Sequence, residues 1–168
     1  MQRYTVAVLV RNQFGVLNRV TSMFRRRQFN IDNLTVSETE SPDYSRITVQ
    51  ISGEERTKKQ LVDQLYKLPD VCSIRELDKE NSVSFELLLI KLENDPDTRG
   101  NIMAAADAFK AETVDYSRES IVLRVTADSR RIDDFIDLMR DYEILEICRT
   151  GVVSLERGAD TIRKVTNL

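Results

Sequence analysis

The chain has 168 residues, of which 41% are hydrophobic and 32% charged, with 25 basic against 28 acidic side chains. This is room for one medium domain or two small ones, in a composition that folds as a globule rather than staying disordered. The slightly negative balance argues against bulk attraction to nucleic acid or an anionic membrane. No apolar run nears the roughly 20 residues of a membrane span. The absence of histidine excludes Ser-His-Asp and Cys-His catalysis and every histidine-ligated metal site.

A first strand is predicted over Arg3 to Val10, with Tyr4, Val6, Val8 and Val10 on one face and Ala7 and Leu9 making the other face partly apolar. That pattern suits a central strand covered on both sides. A short loop, Arg11 to Gly15, leads into a helix from Val16 to about Arg27 with Val16, Val20, Met23 and Phe24 at helical spacing. Its Arg25-Arg26-Arg27 end is read as cations at the negative pole of a helix dipole rather than as a nucleic-acid contact. A second strand is expected from Asn30 to Ser37, then a Ser41-Pro42-Asp43 turn and a third strand over Tyr44 to Ser52. Helix two has a possible capping box at Thr57 to Gln60 and a stripe of Leu61, Leu65 and Leu68; Val71 to Leu77 closes a βαββαβ unit.

After the charged linker Asp78-Lys79-Glu80-Asn81 the same order repeats. A strand over Val83 to Leu92 precedes a helix bearing Ile102, Ala105, Ala106 and Phe109. Strands at Thr113 to Ser117 and Ile121 to Ala127 follow, and Asp128 is expected to cap a helix with Ile132, Phe135, Ile136 and Met139 inward. A last strand system, Ile144 to Leu155, is interrupted by Gly151. The prediction is an α+β protein of two tandem ferredoxin-like βαββαβ units, 1–78 and 83–158, with 159–168 as a polar, frayed tail. Cys72 and Cys148, in strand-like runs, are expected to be buried small hydrophobes, not a disulfide. The first strand begins almost at Met1, so a cytoplasmic chain without a leader is expected.

The residues that point to function lie around the first helix. A glycine at position 15 lets the chain turn with unusual φ and lets another molecule approach the backbone. The free N–H groups at the start of the helix then offer a place for a carboxylate or phosphate. Asn12 and Asn30 could each give an amide oxygen to an ammonium group and an N–H to a carboxylate. Val16, Leu17 and Ile31 supply aliphatic surface. Together these describe a pocket for a free aliphatic amino acid. The second unit's equivalent turn, Asn94 to Gly100, is longer and acidic and carries no such loop.

The stretch Val10, Asn12, Gly15, Leu17, Arg19-Val20, Phe24 to Arg27, Phe29-Asn30-Ile31 and Leu34-Thr35-Val36 resembles the ACT domain of acetohydroxyacid (acetolactate) synthase small subunits. Ser45-Arg46, Gln64-Leu65, Lys67-Leu68, Leu88 to Lys91, Arg149 to Val153 and Arg157-Gly158 match that family too, in order along nearly the whole chain. The resemblance implies a non-catalytic regulatory subunit in branched-chain amino-acid biosynthesis. It implies a homodimer formed edge to edge through the ACT domain, and a large catalytic subunit as partner. Thiamine diphosphate, Mg and FAD would then belong to that partner, with no cofactor, metal, nucleic acid or membrane bound here. The implied effector is valine, or its relatives leucine and isoleucine, held where the loop Asn12, Gln13, Phe14, Gly15, Val16 and Leu17 of one chain meets Asn30 and Ile31 of the other. Phe14 departs from the small residue or proline usual in that family. The alternative is a stand-alone amino-acid-sensing ACT regulator of another enzyme or of a transcription factor.

Overall fold

The computed structural model describes residues 2–165. Its elements are β1 (Gln2–Arg11), α1 (Val16–Arg26), β2 (Ile31–Glu38), β3 (Tyr44–Gly53), α2 (Glu55–Leu65), β4 (Val71–Leu77), β5 (Ser82–Glu93), α3 (Arg99–Phe109), β6 (Glu112–Tyr116), β7 (Ser120–Ala127), α4 (Ser129–Met139), β8 (Ile144–Arg149) and β9 (Val153–Glu156), then a 3-10 turn over Ile162–Val165. The protein is an α+β tandem of two βαββαβ repeats. Their sheets run β2-β3-β1-β4 and β6-β7-β5-β8, all antiparallel where paired. Among the described residues, no helix is long and apolar enough to cross a membrane.

Chain contacts divide the protein into two compact units. One takes 2–84 together with 152–165, and the other is Phe85–Gly151. The sequence reading put the end of the second unit at 158; by contacts residues 152–165 group with the first unit.

In the first unit, β1 is central and buried from Val6 to Val10. Val6, Val8 and Val10 pack with Ile47, Val49 and Ile51 of β3 against Val16, Val20, Met23 and Phe24 of α1 and Leu61 and Leu65 of α2. The two-residue period of the strands and the 3.6-residue period of the helices place these apolar side chains on facing surfaces. The opposite face of the sheet is covered as well. Ala7 and Leu9 pack there with Leu77 and Ile162, so the segment 159–165 is no frayed tail: Ile162 is buried and the 3-10 turn docks on β1 and β4. The part of that expected tail at 166–168 lies outside the described residues. Polar contacts hold the rest of this strap to the sheet. Val152 donates its N–H to Asn33 Oδ1 at 3.4 Å, Arg46 donates to the Ser154 carbonyl at 2.7 Å, and Arg75 meets Glu156 at 3.5 Å. β9 pairs with β5, whose opening residues Ser82, Val83 and Ser84 fall in this same unit; the Ser84 and Ser154 hydroxyls lie 2.7 Å apart.

Two local expectations are corrected. Helix α2 starts at Glu55, with Glu54 extended at the N-cap and no side-chain cap, so Thr57 and Gln60 form no capping box. Thr57 lies already inside the helix, its side chain packed against Gly53. Cys148 is exposed rather than buried, because β8 shows both of its faces to solvent after Ile144; Cys72 is half-buried and both thiols are free. Asp128 does cap α4, accepting from the Arg131 N–H at 3.1 Å.

The second unit has its own core, in which Leu88, Ile90, Leu92, Leu123 and Val125 meet Ile102, Ile132, Phe135 and Met139. Glu86, 3% exposed, accepts from Arg149 and from the Ser129 hydroxyl. Arg149 also reaches Asp133 at 2.6 Å. Burial works against the Arg149 charge, but Glu86 and Asp133 outweigh it and raise its pKa. Thr150 receives the Leu87 N–H on its hydroxyl and returns its own N–H to the Leu87 carbonyl, both at 3.0 Å. The Arg149-Thr150 pair therefore clamps β8 to β5 and to the start of α4.

Candidate functional site

The loop between β1 and α1 is built tightly. Gly15 sits in the left-handed region at φ 80°, where a side chain is strained, and it opens α1 without a capping side chain. The Val16 N–H points back to the Gln13 carbonyl at 3.3 Å. The N–H groups of Leu17 and Asn18 have no acceptor among the described residues, so two donors and the positive end of the helix dipole face outward. The first turn of α1 carries no acidic residue that would compete for them.

Asn12 is engaged within the chain. Its amide donates to the Pro42 carbonyl at 2.9 Å and to the Glu38 carboxylate at 3.1 Å, while its oxygen accepts from the Ser45 hydroxyl at 3.0 Å. Its backbone N–H reaches the Asp43 carbonyl at 2.7 Å. The second repeat copies this latch: Asn94 donates its backbone N–H to the Glu119 carbonyl at 3.0 Å and its amide to the Ser117 carbonyl. In both repeats an asparagine after the first strand ties the loop to the turn between the second and third strands. Within its own chain Asn12 thus positions the loop, with both amide hydrogens used and Oδ1 accepting one bond.

Phe14, at the loop tip, is 103% exposed and walls nothing in its own chain; Leu17 beside it is 43% exposed. Gln13 is exposed and Val16 buried in the core. Asn30 is exposed, with no side-chain partner among the described residues, and Ile31 is half-buried at the start of β2. The structure does not bring these two groups of residues together within one chain. Helix α1 separates them by 11 residues, about 16 Å at 1.5 Å per residue. Among the described residues no group of three or more Cys, Asp or Glu side chains converges as a metal would require.

Fold and loop together define an ACT-type regulatory domain fused to a second ferredoxin-like unit. Comparison with known proteins narrows this. Residues 6–73 match the family model described as the AHAS small subunit-like ACT domain, and residues 85–158 match the one described as the small subunit of acetolactate synthase. The chain is 45% identical over 93% of its length to a probable acetolactate synthase small subunit of Archaeoglobus fulgidus, covering 98% of that relative. It is 43% identical over 92% of its length to the acetolactate synthase small subunit of Mycolicibacterium smegmatis, covering 91% of it. The crystal structure of the acetolactate synthase small subunit from Thermotoga maritima superposes with a TM-score of 0.87 at 34% identity, over 95% of this chain and 100% of that one. The chain belongs to the acetolactate synthase small-subunit family.

The family motifs now have physical roles. Arg46 and the Val152 to Gly158 stretch meet on the back of the first sheet, and Arg149-Thr150 forms the clamp in the second unit. The Asn94 latch was missed in the sequence; its signal is the matching position of an asparagine just after the first strand of each repeat.

Proposed function

We propose that this chain is the non-catalytic regulatory subunit of acetolactate synthase, that it activates a large catalytic subunit, and that it confers feedback inhibition by valine. Thiamine diphosphate, Mg and FAD then reside in the large subunit. The carrying observation is the contact between Asn12 and Glu38. It fastens the helix-start loop to the last residue of β2, and β2 is an edge strand with unpaired backbone groups. When two β2 edges pair antiparallel about a two-fold axis, the end of one strand lies beside the start of the other. The Gly15 loop of one copy then faces Asn30 and Ile31 of its partner, and the 16 Å gap within each chain closes between chains.

Such a seam suits a small zwitterion with a branched tail. The Leu17 and Asn18 N–H groups receive the carboxylate, a contribution of up to ~2 kcal/mol. The Asn30 amide oxygen accepts from the ammonium, about 1.5–3 kcal/mol before ordering costs. The isopropyl group packs on Leu17 and Ile31 with Phe14 at the rim, about 1.5–3 kcal/mol. Net affinity falls between about 10 μM and 1 mM. To inhibit, valine must favour one arrangement of the two chains over another.

The test is add-back. A catalytic large subunit is assayed with and without this chain, with valine titrated into both. Activation plus valine sensitivity only in the presence of this chain supports the reading. Valine binding with no effect on the synthase would point to a stand-alone sensor.

A further inference from the structure

The turn between β2 and β3 is held from two sides. On one side the Asn12 amide donates to Glu38 and to the Pro42 carbonyl, and the Ser45 hydroxyl donates to Asn12. On the other, Arg163 of the 3-10 turn meets Glu40 at 2.9 Å, and its guanidinium lies 5.8 Å from the centre of the Tyr44 ring. Strand alternation keeps the two grips apart. Ser45 pairs with Val10, whose side chain joins the helix-side core, whereas Tyr44 packs with Ala7, Leu9 and Ile162 on the back of the sheet. Between them the turn is compact: the Thr39 N–H donates to the Tyr44 carbonyl and the Tyr44 N–H to the Ser41 carbonyl, both at 3.1 Å. A shift of Glu40 and Tyr44 therefore moves Pro42 and Ser45, and with them the loop that Asn12 positions.

The grip from the back is light, and it lies beyond a hinge. β9 and the Arg75–Glu156 pair fasten the chain as far as Glu156, and Arg157 donates its N–H to the Asn81 carbonyl at 2.7 Å. Gly158 then turns with φ 76°, and a Cβ built there meets nothing within 4 Å. Past it, Ile162 is the buried apolar side chain among the described residues of 159–165. The Arg163 and Glu40 side chains are 43% and 72% exposed, so solvent screens their attraction. Set against the ordering of about seven residues, a buried isoleucine and an exposed ion pair make a modest hold. Segments held in this way open locally while the rest of the domain stays folded.

We propose that 159–165 is a flap hinged at Gly158, and that its docking is coupled to the effector site through the β2-β3 turn. The proposal rests on the reading of the Gly15 loop as that site. Effector binding needs the loop in the arrangement that Asn12 latches, and the latch needs the turn seated. The docked flap holds the same turn seated. Each event therefore favours the other, and by linkage the docked flap raises effector affinity by the factor by which the effector favours docking. Lifting the flap uncovers Ala7, Leu9 and Leu77. An empty site thus exposes an apolar strip on the back of the sheet more often than a filled one.

The test is amide hydrogen exchange by mass spectrometry on the full-length chain, with and without saturating valine, beside calorimetry of valine binding. Amides of 159–165 are expected to exchange severalfold more slowly with valine, while peptides from α4 and β7, which belong to the other core, keep their rates. Ile162→Ser, which frees the flap without touching loop or turn, is expected to bind valine severalfold more weakly. Glu40→Lys is a surface change that keeps the test open should Ile162→Ser not fold. It sets two cations against each other, and should speed flap exchange and weaken valine binding. Adding Arg163→Glu to it restores an ion pair of opposite sense and should return both quantities toward parental values. A parent chain that ignores valine would remove the effector reading and the coupling with it. Valine bound by the parent with flap exchange unchanged, or slowed no more than in α4 and β7, overturns the flap and leaves the effector reading standing. So does Glu40→Lys if either its flap exchange or its valine affinity matches the parent's, or if the charge swap restores neither.

Discussion

The Asn12 amide donates to the Glu38 carboxylate at 3.1 Å, tying the loop that begins α1 to the far end of the edge strand β2. The same side chain holds Pro42 and Ser45, so one residue sets the loop against the whole β2-β3 turn. Replacing it by alanine removes three hydrogen bonds at an exposed position. Asn12→Ala is expected to cost about 1–3 kcal/mol in urea unfolding and to weaken valine binding severalfold. Asn94→Ala, which breaks the equivalent latch in the second repeat, is expected to destabilise its own unit and leave valine affinity as it was.

Gly15→Asp is expected to fold and to lose valine. A Cβ built on Gly15 meets only Arg19 Nη1, at 3.7 Å, so space is available and the strain is confined to φ 80°. Aspartate is among the residues that tolerate that region. The added carboxylate then lies where the ligand's own should bind. Circular dichroism like the parent's with no calorimetric signal from valine is the predicted pair of results. Parental valine affinity in the folded variant would refute the site.

The edge pairing is tested at Val36, which is 39% exposed on β2. A lysine in an edge strand discourages pairing with a second strand. Val36→Lys is expected to shift the protein from dimer to monomer in light scattering at micromolar concentration and to abolish valine binding with the loop itself untouched.

The Arg149 clamp is expected to matter for stability rather than for effector binding. Arg149→Gln leaves the Glu86 carboxylate, 3% exposed, with the Ser129 hydroxyl as its remaining donor among the described residues. Breaking a buried pair from one side costs about 3–5 kcal/mol. Denaturant unfolding should register this loss, and the double variant Glu86→Gln with Arg149→Gln should recover part of it, since no unpaired charge is left behind.

Much of the fold is legible in the pattern of the chain. The strict alternation of β3 and the 3.6-residue stripe of α1 have one solution each, and β4 runs over the predicted Val71–Leu77. What was not legible depends on partners distant in sequence. Ile162 lies in a short, mostly polar stretch with no strand or helix period to mark it as core, and only its docking on Ala7, Leu9 and Leu77 gives it a role. The apolar second face of β1 was the sign that something had to cover it. Cys148 looks buried by residue type, yet β8 is uncovered on both faces after Ile144, which local pattern does not encode. At the candidate site, the glycine and the helix start follow from local conformational rules. The engagement of Asn12 does not, because Glu38, Pro42 and Ser45 come to it only when the β2-β3 turn folds back.

The most direct test of the two-chain seam is complementation between two defective chains. Gly15→Asp and Asn30→Ala chains, differently tagged, are each expected to be blind to valine as homodimers, because every site carries one defect. A purified mixed dimer has one site built from the intact loop of one chain and the intact Asn30 of the other. Calorimetry on that mixed dimer should recover one valine per dimer at near-parental affinity. A mixed dimer that forms yet binds no valine would place both residues in a single-chain site and contradict the account.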